Sequence, residues 1–264
     1  MAPSLPAPLL RCFTQFDQRF SLGDRLLELL ATADSTNSEL SVRLARGEGV
    51  VEGNWLIAER QTAGRGRQGR AWFDGLGNFM GSTVVHATAG DPPLASLALV
   101  AGLAVHQAVS AYVPPPSLPQ LKWPNDVLVG GAKLAGILLE RVGDAVVVGI
   151  GVNLAIAPDL PDRRTLALSA FGPAPDRLHF ADALAHCFAE DLARWRSYGL
   201  GPVIARWQAA AHPLGTPLLV GEAEDVPLAG TFAGLTDDGA LQLQLADGTR
   251  RVVHAGEVRL ASDQ

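Results

Sequence analysis

Lysine is the scarcest charged residue in this chain. Of its 21 basic residues only Lys122 and Lys133 are lysines, and the others are arginines. A compact ammonium can approach a single oxygen atom in a way that a planar guanidinium cannot. In a chain that otherwise uses arginine, a lysine therefore marks a position where arginine cannot replace it. Because both lysines fall in one short segment, we expect that segment to be part of a functional site.

Cysteine is also rare, with only Cys12 and Cys187, which lie far apart and form no C-x-x-C pair. The six histidines are scattered and show no H-x-x-H spacing. These patterns argue against a zinc site and against a disulfide framework, so no metal held by His or Cys is expected. They fit a reduced, cytoplasmic protein.

An excess of positive charge and a membrane segment are missing too. The net charge of −6 argues against a general nucleic-acid binder. Residues 1–8 have neither the basic region nor the long apolar run of a signal peptide. The longest apolar stretch, residues 94–113, is interrupted by polar side chains and bracketed by prolines, which predicts a buried helix and not a membrane span.

Arginine and glycine are instead concentrated in residues 64–70, Gly-Arg-Gly-Arg-Gln-Gly-Arg, which we call the arginine loop. Its like charges repel one another, and its glycines lose backbone freedom on ordering. We therefore expect a mobile loop that becomes fixed when an anion binds. Guanidinium groups pair with phosphate and carboxylate through parallel hydrogen bonds, so a small anionic ligand is predicted.

The arginine loop also matches the G-x-G-x-x-G motif of dinucleotide-binding sites, which needs a strand before it and a helix after it. A strand is predicted at residues 54–61. Residues 70–78, however, contain two more glycines and no helical periodicity. Anion binding is therefore favoured over dinucleotide binding, and also over a solvated surface loop.

The hydrophobic pattern predicts an α+β fold with two domains. A mixed-sheet domain with helices packed on it is expected over residues 1–212, followed by a small, all-β, barrel-like domain over residues 213–264, where Asp-Gly pairs separate short strand-like runs. Residues 26–31 fit either a helix or a strand. Helices are predicted at 37–45, 94–112, 177–198 and 202–211, and strands at 54–61, 78–86, 127–129, 133–140 and 145–149.

Several polar positions have a structural as well as a functional interpretation. Thr36 and Glu39 have the spacing of a helix capping box, which by local sequence is the favoured role. Gly149 and Gly151 indicate either a β-bulge or a close approach of backbone to a ligand. Asn125 belongs to a Pro-Asn-Asp turn signal.

Five stretches, taken together, resemble the biotin–protein ligases. They are residues 35–37 (STN), 61–70 (QTAGRGRQGR), 122–126 (KWPND), 133–138 (KLAGIL) and 149–153 (GIGVN), in the order of that family. The resemblance implies that ATP and biotin give biotinyl-adenylate and pyrophosphate, and that biotin then passes to a lysine of the biotin carboxyl carrier protein of acetyl-CoA carboxylase. Too few residues precede Ser35 for a winged helix, so neither DNA binding nor repressor function is expected. Whether the enzyme is a homodimer is left open.

The same resemblance assigns roles to residues. Lys133 is expected to bridge the biotin carboxylate and the α-phosphate, Arg67 to close over the adenylate, and Asp126 to orient or deprotonate the acceptor amine. The biotin site is expected to consist of Ser35, Thr36, Asn37, Gln61, Gly64, Arg65, Gly66, Arg67, Lys133, Gly136 and Gly149. The ATP site is expected to consist of Arg65, Arg67, Arg70, Trp72, Lys122, Asn125, Lys133 and Asn153, with Mg²⁺ near Asn125.

Two other functions fit parts of the sequence. A lipoate–protein ligase is a related activation-and-transfer enzyme, but the segment 122–126 and the arginine loop favour biotin. A non-catalytic anion or nucleotide sensor would need the loop and no lysine pair.

Overall fold

The computed structural model describes residues 18–22, 25–221 and 227–261, so Cys12 lies outside the described residues. Their largest element is an eight-stranded sheet of order β1-β2-β3-β4-β8-β7-β6-β5. The β2–β3 pair is parallel and the other pairs are antiparallel, which confirms the predicted mixed sheet. The strands are β1 (Gln18–Leu22), β2 (Arg25–Ala33), β3 (Trp55–Gln61), β4 (Phe79–His86), β5 (Pro119–Lys122), β6 (Asp126–Val129), β7 (Ala132–Val142) and β8 (Ala145–Val152).

Four helices of the described chain cover the two faces of this sheet. They are α1 (Thr36–Ala45), α2 (Leu97–Ser110), α3 (Arg177–Tyr198) and α4 (Leu200–Ala210). The alternation of side chains along β8 separates two cores: Val146 and Val148 belong to the large core with α2, α3 and α4, whereas Val147 packs with Leu40 of α1. The hydrophobic core on the α1 side is the smaller of the two, which leaves room for a cavity over the centre of the sheet.

The predicted helices are confirmed, and α3 has the predicted bounds. The Asp176 carboxylate caps it by accepting from the N–H groups of Leu178 and His179, at 3.0 and 2.9 Å. Gly199, with φ of 73°, ends it in a backbone conformation that suits glycine. None of the helices in the described residues is long and apolar enough to cross a membrane, and residues 94–113 contain the buried α2.

The ambiguous residues 26–31 lie in strand β2, and residues 70–78 contain no helix, as expected. The hairpin of β6 and β7 turns at Gly130 and Gly131, which have φ of 57° and 78°. The β-bulge interpretation of Gly149 and Gly151 is wrong. Strand β8 pairs with β4 and β7 without a shift of register, so a bulge does not explain why glycine occupies these two positions.

A second, five-stranded antiparallel sheet follows, as predicted. Its order is β12-β11-β10-β9-β13, and in the described residues no hydrogen bonds join β12 to β13. Trp123 connects the two sheets, because its Nε1–H donates to the Gly239 carbonyl at 3.1 Å. The strands are β9 (Pro217–Val220), β10 (Leu228–Leu235), β11 (Leu241–Gln244), β12 (Arg250–Val253) and β13 (Val258–Leu260).

Candidate active site

A cavity of about 340 Å³ lies on the α1 side of the large sheet. Strands β7 and β8 form its floor, and the arginine loop, residues 122–126 and residues 257–258 contribute to its walls. Every residue predicted for the site borders this cavity except Gly64, whose carbonyl accepts from the Trp72 N–H at the base of the loop (2.9 Å). The structure therefore brings together motifs that are far apart in the sequence.

The floor of the cavity lacks side chains where Gly136, Gly149 and Gly151 lie. A Cβ atom at any of the three would come closer than 3.0 Å to a neighbouring side chain. At Gly136 and Gly151 that neighbour is the indole of Trp72, and at Gly149 it is the amide of Asn37. The glycines let these two side chains lie directly on the sheet.

The polar corner, formed by Thr36, Asn37, Gln61 and Ser82, lies at one end of the cavity. The Thr36 N–H donates to Gln61 Oε1 at 2.8 Å, and the Thr36 and Ser82 hydroxyl oxygens are 2.6 Å apart. The Ser82 hydroxyl donates to Asn37 Oδ1, also at 2.6 Å. All four side chains are buried and joined by hydrogen bonds.

The capping-box interpretation of Thr36 is therefore wrong. Ser35 is the N-cap residue of α1 and makes no side-chain cap bond, and Thr36 is the first helical residue. The Thr36 hydroxyl is taken up by Ser82 and Gln61, whereas Glu39 pairs with Arg43. Long-range partners in β3 and β4 outcompete the local cap. Ser82 was not predicted, although a serine inside an apolar strand is a signal that could have identified it.

The two lysines flank one carboxylate. Lys133 Nζ lies 2.7 Å from Asp126 Oδ1, and Lys122 Nζ lies 3.2 Å from Asp126 Oδ2. Burial disfavours the charged form of Asp126, but the nearby ammonium groups of Lys133 and Lys122 outweigh burial and hold the pKa of this carboxyl well below its ordinary value. Asp126 thus supplies the counter-ion that a largely buried ammonium such as that of Lys133 requires.

The arginine loop is held by side chains from three parts of the chain. Arg65 Nη2 lies 2.9 Å from Glu140 Oε1 of β7. Arg67 donates to Asn125 Oδ1 at 3.3 Å and to a backbone carbonyl at 3.4 Å, and Arg70 donates to Glu257 Oε1 at 2.7 Å. Burial lowers the pKa of the Arg67 guanidinium, but from so high an ordinary value that it remains charged.

The C-terminal sheet contributes to the site, which the sequence did not indicate. The Glu257 carboxylate accepts from Arg70 and, at 3.3 Å, from Arg163. The Val258 carbonyl accepts from Lys122 Nζ at 3.0 Å. Burial raises the pKa of Glu257, but Arg70 and Arg163 together lower it more, so the carboxyl stays ionised at neutral pH.

Two residues predicted for the ATP site form hydrogen bonds through their side-chain amides to other groups of the protein. Asn125 Oδ1 accepts from Arg67 and its Nδ2 donates to the Ile137 carbonyl at 2.7 Å. Asn153 Nδ2 donates to the Leu166 carbonyl at 3.1 Å. Within residues 18–22, 25–221 and 227–261, no three His, Cys, Asp or Glu side chains form a group that could hold a metal ion. The cationic surroundings of Asn125 do not fit a protein-held Mg²⁺.

Two family models match this chain. The biotin/lipoate A/B protein ligase family matches residues 32–155, and the biotin protein ligase C terminal domain matches residues 219–260. The first match contains every predicted site residue, and the second contains Glu257.

Individual proteins are similar over nearly the same span. A biotin–[acetyl-CoA-carboxylase] ligase of Paracoccus denitrificans is 42% identical over 243 residues, which cover 87% of this chain and 98% of the relative. One of Mycobacterium tuberculosis is 37% identical over 242 residues, with 89% of each chain covered. The structure of a biotin protein ligase from Aquifex aeolicus in complex with biotin and ATP has a TM-score of 0.78 at 26% identity, covering 89% of this chain and 99% of that chain.

Proposed function

The chain belongs to the biotin/lipoate A/B protein ligase family, and from this premise we propose that the cavity is where biotin and ATP react. The protein is an ATP-dependent ligase that activates biotin to biotinyl-adenylate and transfers it to acetyl-CoA carboxylase. The family description includes lipoate, but the C-terminal match and the similar relatives are biotin ligases, which favours biotin.

The observation that carries the proposal is that Lys133, Lys122 and Arg67 share one cavity. The first step brings two anions together, because a carboxylate oxygen of biotin attacks the α-phosphorus of ATP. The bond from that phosphorus to the bridging oxygen breaks, and pyrophosphate leaves. Fixed cations cancel the repulsion between the reactants and stabilise the charge of the transition state. Lys133 is proposed to bridge the carboxylate and the α-phosphate, with Arg67 closing over both.

The polar corner is proposed to bind the ureido ring of biotin. Three of its side chains, Thr36, Asn37 and Gln61, border the cavity, and each can offer a donor or an acceptor to a planar urea. Ser35, beside this corner, also borders the cavity. The thioether ring and the acyl chain would then extend over the glycine floor towards Lys133.

Trp72 is proposed to pack against the adenine. Its ring lies on the glycine floor with Lys133 Nζ 5.6 Å from the ring centre. In the described part of the chain, the buried Trp72 Nε1–H has no hydrogen-bond acceptor. Arg65, Arg70 and Lys122 are proposed to contact the phosphates. Asn125 and Asn153, whose amides are engaged elsewhere, are proposed to support the walls of the nucleotide site.

The second step transfers biotin to the acceptor lysine. The amine nitrogen attacks the carbonyl carbon of the adenylate, the bond from carbon to the phosphate oxygen breaks, AMP leaves with that oxygen, and the amine loses its proton to water. Asp126, with its lowered pKa, is a weak base. We therefore propose that Asp126 orients Lys133 and Lys122 and that it does not deprotonate the amine. No step is assigned to Mg²⁺, since Asn125 does not fit it.

The remaining partners are also proposals. The acceptor is proposed to be the biotin carboxyl carrier protein, and the net charge of −6 supports the absence of DNA binding. We propose that the domain boundary lies at residue 212, between the end of α4 at Ala210 and the start of β9 at Pro217. The protein is proposed to act in the cytoplasm.

Pyrophosphate release with biotin and ATP tests the proposal, and lipoate in place of biotin is the control. We expect ATP to release pyrophosphate in the presence of biotin but not in the presence of lipoate. Release with lipoate alone would contradict the assignment of substrate. Calorimetry with each ligand tests for a non-catalytic anion or nucleotide sensor, because a sensor would bind its ligand and release no pyrophosphate.

A further inference from the structure

Two side chains outside the cavity hold the Asn37 amide, and one of them also reaches the arginine loop. Ser82 on β4 and Glu140 on β7 do not border the cavity, but both contact Asn37, which does. Glu140 Oε2 accepts from Asn37 Nδ2 at 2.8 Å and from Arg65 Nη2 at 3.1 Å. The same Arg65 nitrogen reaches the Ser38 hydroxyl at 3.0 Å. One carboxylate thus holds both the corner and the loop.

The direction of these hydrogen bonds fixes the Asn37 amide. Its Nδ2 faces the Glu140 carboxylate and, at 3.4 Å, the Leu138 carbonyl, which only accept hydrogen bonds. Its Oδ1 faces the Ser82 hydroxyl, which can donate. A flipped amide would place its oxygen against the Glu140 carboxylate and the Leu138 carbonyl, which offer no proton, whereas the Ser82 hydroxyl can donate or accept. Glu140 and the Leu138 carbonyl therefore allow one orientation, and the Ser82 hydroxyl adapts to it.

The sheet places these groups in register. Ser82 pairs with Gly149, and Gly149 pairs with Leu138, so the three lie in one row under Asn37. Glu140 is two residues beyond Leu138 on the same face of β7, where it reaches past the edge of the cavity to Arg65. Strand β7 thus joins the Asn37 contact in the polar corner to the Arg65 contact in the arginine loop.

We propose that Glu140 is a positioning residue that sets the Asn37 amide and couples occupancy of the polar corner to the order of the arginine loop. The proposal rests on the proposed function, since biotin is the ligand of the corner. A ligand that engages Asn37 strengthens the placement of Glu140, and Glu140 in turn holds Arg65 and the loop. Without the carboxylate, the corner and the loop respond to biotin separately.

The test uses Glu140→Gln, which keeps the shape of the side chain and an acceptor for Asn37 but removes the charge that holds Arg65. Biotin affinity is measured by calorimetry. Trypsin cleavage after Arg67 and Arg70 is followed by mass spectrometry, with and without saturating biotin. The parent is expected to be protected by biotin. In Glu140→Gln the dissociation constant is expected to rise by roughly tenfold to a hundredfold, the range for a hydrogen bond to a charged group, and most of the protection is lost.

Glu52→Ala is the matched control. Glu52 is exposed to the same extent as Glu140, 27%, and is also paired with an arginine, Arg196, away from the cavity. This control should retain the parent's affinity and protection. If Glu140→Gln does not fold, Arg65→Gln interrupts the same contact from the exposed side. When both single variants fold, the double variant should be no worse than either of them, because the two changes interrupt one contact.

The possible failures are distinguishable. A parent protein that binds no biotin would overturn both the proposed function and this inference. A parent that binds biotin and a Glu140→Gln variant that matches it in affinity and protection would overturn the coupling alone. Equal losses in Glu52→Ala and Glu140→Gln would also overturn it, because the effect would then be a general loss of stability.

Discussion

Lys133 and Asp126 form an ion pair at 2.7 Å within the cavity, with the carboxylate almost fully buried and the ammonium partly open to the ligand. The pair places a positive charge beside the reacting groups and fixes its position before either reactant binds. Because Asp126 also holds Lys122, the only two lysines of the sequence share one counter-ion. Their scarcity in the sequence and their contact in the structure point to the same site.

Replacing Lys133 by Ala should abolish adenylate formation and leave the fold intact. Loss of one preorganised donor to a developing charge typically lowers the rate about 10²–10³-fold. The measurement is pyrophosphate release, with circular dichroism as the check on folding. Arg60→Ala is the control, because Arg60 is a nearby cation that pairs with Asp74 and does not border the cavity. A Lys133→Ala variant with unimpaired release would contradict the assigned role.

Replacing Asp126 by Asn should destabilise the protein by leaving two ammonium groups without a counter-ion. The expected loss is on the order of 3 kcal/mol, measured by urea unfolding at pH 7. The folded pKa of Asp126 is below the unfolded value of about 3.9, so its contribution is complete above that pH and is lost as the pH falls through the folded pKa. The difference between parent and variant should be constant from about pH 5 to 8 and shrink below about pH 4. A difference that grows on acidification would contradict this assignment.

Replacing Gly151 by Ala should displace Trp72 from the floor of the cavity, because the added Cβ would overlap the indole. A weaker affinity for ATP and an altered tryptophan fluorescence are expected. Gly201→Ala in the first turn of α4 is the control, because nothing lies near its added Cβ and ATP affinity should be unchanged. Normal ATP affinity in Gly151→Ala would show that the indole position does not matter to the nucleotide.

Replacing Trp123 by Phe should weaken the connection between the two sheets. The change removes the donor to the partly buried Gly239 carbonyl, and loss of a typical hydrogen bond costs about 0.5–1.5 kcal/mol. Since Leu218 and Leu241 of the second sheet belong to the same core as α2, we expect one unfolding transition in both proteins, shifted to lower urea in the variant. Two separate transitions in the parent would show that the sheets unfold independently.

Much of the fold could be read from the sequence because its signals are local. Helix α3 has a capping Asp176 before it, a Gly199 after it and apolar residues at helical spacing between them. The β6–β7 hairpin is marked by its glycine pair. The site residues were found through short motifs whose composition is unusual, such as alternating glycine and arginine.

The rest depends on contacts between distant residues. Ser82 lies 46 residues from Thr36, Glu140 lies 103 from Asn37, and Glu257 lies 187 from Arg70. No local pattern connects these pairs, so the sequence favoured a helix cap for Thr36 and gave no chemistry to the C-terminal sheet. The glycines of β8 were ambiguous for the same reason, since Trp72 and Asn37, which use the space above them, come from other elements.

The glycine floor, on which Trp72 and Asn37 lie, limits how this protein can change. Every possible replacement at Gly136, Gly149 or Gly151 adds atoms, so single mutations there can only remove room from the pocket. Variants at these three positions could come to accept smaller molecules, but a larger vitamin or nucleotide analogue would have to be accommodated by altering the surrounding loops.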